Sequence, residues 1–82
     1  MTEDLSLTKT SDINLAAALL CLGYDVKGID NRNPSRVYFF FFESPELAAA
    51  IDDYWRGDLR VDPKELANSR RELLTRIREE AI

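Results

Sequence analysis

The run Arg36-Val37-Tyr38-Phe39-Phe40-Phe41-Phe42-Glu43 decides how this 82-residue chain folds. Five consecutive aromatic residues after a β-branched one, with a charge at each end, suit a pleated surface, and the length is that of a strand. Alternation sends Val37, Phe39 and Phe41 to one face and Tyr38, Phe40 and Phe42 to the other. Both faces are therefore aromatic. If helices cover only one side of the sheet, the other set meets water, and an exposed apolar patch of that kind marks an interaction surface.

Working outward, Tyr24 to Asp30 is also rich in aromatic and β-branched residues, and Asn31-Arg32-Asn33-Pro34-Ser35 between the two stretches is a run of turn formers. Together they predict a β-hairpin. Upstream, Thr10-Ser11-Asp12 supplies an N-cap oxygen and a first-turn carboxylate for a helix from about Asp12 to Leu22, closed by Gly23 in a left-handed conformation. Ile13, Ala16, Ala17 and Leu20 make one stripe of it and Leu15, Leu19 and Leu22 the next, with Asn14 as its polar side chain after the cap. A helix so apolar belongs at the centre, packed on more than one side. Before it, Leu5 and Leu7 alternate with Asp4, Ser6 and Thr8 in the period of a short strand.

Downstream, Ser44-Pro45 starts a helix that runs to about Arg56, with Gly57 after it. Its core stripe is Leu47, Ile51, Tyr54 and Trp55. Asp62-Pro63-Lys64-Glu65 joins a cap, a first-turn proline and a capping-box glutamate, and opens a helix to about Ala81. On it Leu66, Leu73, Leu74, Ile77 and Ala81 form an apolar arc beside the basic row Lys64, Arg71 and Arg78, with Glu65, Glu72 and Glu79 across. Arg70 falls inside the apolar arc. Either its stem packs while its head reaches the edge, or it pairs with a carboxylate such as Asp12, or it reaches a partner. The predicted fold is α+β, in the order (β)αββαα. A short antiparallel sheet centred on the hairpin carries three helices, and residues 1–82 are expected to form a single domain.

Composition narrows the function. The chain has 45% hydrophobic and 32% charged residues, enough apolar material for a core. Histidine is absent and Cys21 is the single cysteine, which takes away the commonest general base, the commonest metal ligand and any internal disulfide. Cys21 stands among leucines, where burial leaves a thiol inert. The acidic pairs Asp52-Asp53 and Glu79-Glu80 point about 100° apart on a helix and do not make facing carboxylates. The glycines have structural posts, so no phosphate loop remains. The expectation is no enzyme, no catalytic residue, no cofactor, no metal and no small-molecule substrate. Met1 to Thr10 has no apolar run and the longest apolar stretch, Leu15 to Leu22, is too short for a membrane span, so the chain is expected in the cytoplasm with no membrane contact.

The candidate binding residues gather on the hairpin. Lys27, Arg32 and Arg36 accompany Tyr38, Phe40 and Phe42, the ingredients of a base-stacking platform. Charge argues the other way: the net charge is -4, and no basic stripe dominates the molecule. A protein partner or a second copy of the chain, covering Tyr38, Phe40 and Phe42 as a homodimer, is the preferred expectation. A single-stranded nucleic acid is the alternative.

The segments Thr10-Ser11-Asp12-Ile13-Asn14-Leu15-Ala16-Ala17-Ala18-Leu19-Leu20, Gly23-Tyr24, Arg36-Val37-Tyr38-Phe39 and Asp53-Tyr54-Trp55-Arg56-Gly57 resemble a small domain family of unknown function found in bacterial and phage genomes. Its members share a T-S-D-x-x-L-A-A-x-L start, an aromatic strand and a Y-W-x-G close before a final helix. The shared positions are a cap, a helix stop and core aromatics, so the resemblance implies no site residue. It implies a phage or prophage setting and an interaction with a host or viral macromolecule.

Overall fold

In the computed structural model, which describes residues 6–79, the elements run β1 (Leu7–Thr10), α1 (Ile13–Cys21), β2 (Gly28–Asp30), β3 (Tyr38–Phe42), α2 (Pro45–Arg56) and α3 (Pro63–Glu79). The α+β fold and the order of elements match the sequence-based expectation. Leu5 and Ala81, on which parts of it fell, lie outside the described residues.

β3 is the middle strand of an antiparallel sheet ordered β1-β3-β2. Thr10 stands opposite Phe39 and Leu7 opposite Phe42 on one side, while Ile29 faces Phe39 and Asp30 faces Tyr38 on the other. The pleat puts Phe39 and Phe41 on the inner face, each 1% exposed, where they join Ile29 and side chains of all three helices in one core. Fully burying side chains of this size contributes about 2–3 kcal/mol apiece. The helices thus lie on the inner side of the sheet.

α1 is the centre, as its composition requires. Leu15, Ala16, Ala17, Ala18 and Leu19 are buried in succession, covering every direction of the helix, and α3 packs on it more extensively than any other element does. Small alanine side chains allow that close approach. Its start differs from the expectation: Asp12 is the cap itself, accepting from the amides of Asn14 at 2.9 Å and Leu15 at 3.2 Å, while Thr10 Oγ1 accepts from the Asp12 amide. At the other end Gly23, at φ 98°, takes the left-handed turn that lets its own amide reach the Leu20 carbonyl and that of Tyr24 reach Leu19. Gly57, at φ 78°, closes α2 in the same way, with bonds from Gly57 to Tyr54 and from Asp58 to Asp53.

Several expected core positions are displaced. Trp55 is 64% exposed, because it stands about 80° around the helix from Leu47 while buried Ala50 lies on the opposite flank of the stripe. Leu74 is exposed for the same reason, about 100° from the fully buried Leu73, and Leu22 is exposed in the turn after α1. Cys21 is half-buried rather than sealed in leucines, with Sγ 3.6 Å from Ser69 Oγ on α3. Arg70 is exposed, and its Nε donates to Asn14 Oδ1 on α1 at 3.2 Å. Asp12 is not its partner; the Asp12 carboxylate accepts from the Tyr54 hydroxyl at 3.0 Å, tying the start of α1 to the end of α2.

Candidate functional site: the outer face of the sheet

With the helices on the inner side, the outer side of the sheet carries Tyr38, Phe40 and Phe42 along its middle strand. Tyr38 and Phe40 are half-buried by their neighbours, Phe42 is 45% exposed, and Leu7, its cross-strand partner, is 51% exposed. The three sequence-predicted aromatics are therefore brought together on one surface. Phe40 has Gly28 opposite it, where an added Cβ would lie 3.8 Å from the ring, so the ring edge is left clear on that side.

The basic candidates divide. Lys27 arrives on the outer face through a bulge: its amide donates to the Phe40 carbonyl at 2.7 Å although Gly28 is the residue in register with Phe40, so two residues of the β2 side oppose one of β3. Regular alternation would point Lys27 inward; the bulge turns it out, and Nζ lies 4.8 Å from the centroid of the Phe42 ring and 3.8 Å from Asp25. Arg32 is engaged within the chain. Its Nε and Nη2 hold both oxygens of Asp30 at 3.0 and 2.7 Å, and this forked bond with the Arg32 backbone amide lowers the Asp30 carboxyl from 3.8 to about 2. The same pairing raises Arg32 above its ordinary value. Arg36 lies exposed just before β3, and its side chain has no ion pair or hydrogen bond among the described residues.

Lys9 was not among the sequence candidates. It stands in register with Phe40 on β1, and its Nζ lies 4.6 Å from the Tyr38 centroid. The alternation Leu7-x-Lys9 shows that these two share a face, but which face follows only from the β1–β3 register, a pairing across some thirty residues. At exposed positions a cation over a ring contributes about 0.5–1 kcal/mol. Each ammonium can leave its ring at little cost.

Beside Phe42 a cleft of about 240 Å³ opens between the Gly23–Asp25 turn and the junction of β3 with α2, with Lys27 in its wall. Among the described residues no group of His, Cys, Asp or Glu could hold a metal ion, and no helix is long and apolar enough to cross a membrane.

Residues 6–78 match the family described as Domain of unknown function (DUF5659). The chain belongs to that family. No curated protein and no solved structure matches it. The matched span takes in every strand and helix except the last residue of α3, so the outer sheet face lies wholly within the family's domain.

Proposed function

We propose that this member of the family is a non-catalytic binding module that docks a macromolecule on the outer face of its sheet, in a phage or prophage setting. One observation carries this: the helices cover the Phe39 and Phe41 side, while Tyr38, Phe40, Phe42 and Leu7 form a contiguous apolar surface rimmed by Lys9 and Lys27. The non-catalytic part is supported by a chain without histidine and by a cysteine whose near neighbour is the Ser69 hydroxyl rather than a base. The setting is supported by the likeness of its start and its Tyr54-Trp55-Arg56-Gly57 close to domains of bacterial and phage genomes.

The test is photo-crosslinking in the native host, with a benzophenone amino acid in place of Phe42 and, as the control, in place of Ala49 on the exposed side of α2. Adducts from position 42 that are absent from position 49 support the docking face. Adducts from neither position, or from both alike, overturn it.

A further inference from the structure

We infer that the occupant of the outer face is a single-stranded nucleic acid, with bases stacked on Tyr38, Phe40 and Phe42 and phosphates held by Lys9, Lys27 and Arg36. This rests on the outer face being the docking surface, and names what docks there.

Three observations converge on a strand. The first is the frame. β1-α1-β2-β3-α2 with sheet order β1-β3-β2 is the opening five elements of the split βαβ arrangement, with α3 in place of its fourth strand. In that frame the central strand presents alternate side chains on an open sheet face, the geometry on which RNA-recognition domains stack bases. Here the alternate residues are all rings, at steps of about 6.8 Å, twice the strand rise, which leaves each ring room for one base.

The second is where the charge lies. Residues 6–44 hold the cations Lys9, Lys27, Arg32 and Arg36 and the acids Asp12, Asp25, Asp30 and Glu43. Asp12 is taken up at the start of α1, and Glu43 follows the inner phase of β3, where it accepts from Thr8 Oγ1. Asp30 and Arg32 cancel each other. The outer face is left with Lys9 and Lys27, and exposed Arg36 just before β3, against Asp25; the net charge of -4 comes from Glu3, Asp4 and Glu80 outside the described span and from the loop between α2 and α3, while the charges of α2 and α3 cancel. An overall acidic chain thus presents its cations among its exposed rings, the local complement of a phosphate backbone.

The third is how the cations are parked. Lys9 and Lys27 each lie on a ring face, and an arriving base takes over the ring while the ammonium swings to the adjoining phosphate. A second copy of this chain fits less well, since face-to-face packing sets Lys9 and Lys27 against the same cations of its twin. A duplex fits less well also, because its bases are already stacked and cannot reach the rings.

Fluorescence anisotropy on the full chain, with labelled oligo-dT and oligo-rU of about ten nucleotides and a duplex of equal length, tests this. For about three phosphate contacts on a single strand the logarithm of affinity falls with that of salt at a slope of about -2, roughly twentyfold weaker binding between about 50 and 200 mM salt. Lys9→Gln, at an exposed position, makes the slope shallower by about 0.7, and Phe40→Ser weakens binding by about tenfold with the circular dichroism unchanged. No binding of either oligonucleotide at low salt, or equal binding of the duplex, overturns the inference. If position 42 then still crosslinks selectively, to protein, the docking face stands and only the strand has failed; if it does not, both have.

Discussion

The amide of Lys27 bonds to the carbonyl of Phe40, and this one bond reverses the direction of the lysine side chain. Without the bulge, Lys27 would alternate inward toward the core; with it, the ammonium stands over Phe42 and joins Lys9 in framing the aromatic surface. Gly28, next to it, leaves the edge of the half-buried Phe40 ring clear on the β2 side. Local backbone irregularity, rather than side-chain pattern alone, completes the face.

The inner and outer aromatics of β3 should respond to substitution in opposite ways. Phe41→Ala empties a site that is 1% exposed and is expected to cost about 3–5 kcal/mol of stability in urea denaturation. Phe42→Ala, on the outer face, should cost less than about 1 kcal/mol. Equal losses would mean that the outer face is covered within the chain.

On α2 and α3 the same contrast tests the helix phases. Leu73→Ala is expected to lose about 2–5 kcal/mol, because Leu73 is fully buried where α3 meets the core. Trp55→Ala should lose about 1 kcal/mol or less, its ring being mostly exposed and touching Tyr54 edge-on. A severe loss at Trp55 would restore it to the core.

Most of this fold was legible in the sequence, for physical reasons that name the exceptions. Caps, closing glycines and the aromatic run are local signals, and Ser44, Gly23, Gly57 and Tyr38–Phe42 each do what their chemistry prescribes. Trp55 and Leu74 misled because period counting fixes a stripe only to within about one residue's rotation, and a large apolar side chain at the edge can face either way. At the candidate site the three rings could be named from the strand pattern; Lys27 could be named for its place in the hairpin, but its arrival on the outer face depends on the bulge. Lys9 could not, because β1 reaches β3 only through tertiary register. Nor could the loss of Arg32 to Asp30, since two neighbours in a turn meet only once the turn has its shape.

The Asp12–Tyr54 bond gives stability an alkaline limit. Burial first, and then the bond to Asp12, raise the Tyr54 hydroxyl above its ordinary value of 10.0. Folding therefore favours the neutral phenol. That contribution is fully present below the unfolded value and fades as pH climbs through the higher folded one. Tyr54→Phe is expected to lower stability at pH 7 by about 1.5–3 kcal/mol, the range for a hydrogen bond to a charged group. It should also flatten the decline above pH 10, read from urea midpoints across pH. A variant that declines as steeply as the parent would place the alkaline loss elsewhere.

At the acid end, the Asp30 carboxyl should titrate near pH 2 in the side-chain NMR signal and return toward 3.8 in Arg32→Gln. Its pairing with Arg32 is intact above the unfolded value and is lost as pH falls through about 2. An Asp30 midpoint already at 3.8 in the parent chain would show Arg32 free in solution and available to a ligand.

A residue-by-residue NMR titration of the labelled chain with oligo-dT locates the docking face. Shifts are predicted at Leu7, Lys9, Lys27, Tyr38, Phe40 and Phe42, with the exposed sides of α2 and α3, Trp55 included, unmoved. Perturbations centred on Trp55 or α3, with the outer sheet face silent, would place docking on the helices and overturn the assignment to Tyr38, Phe40 and Phe42.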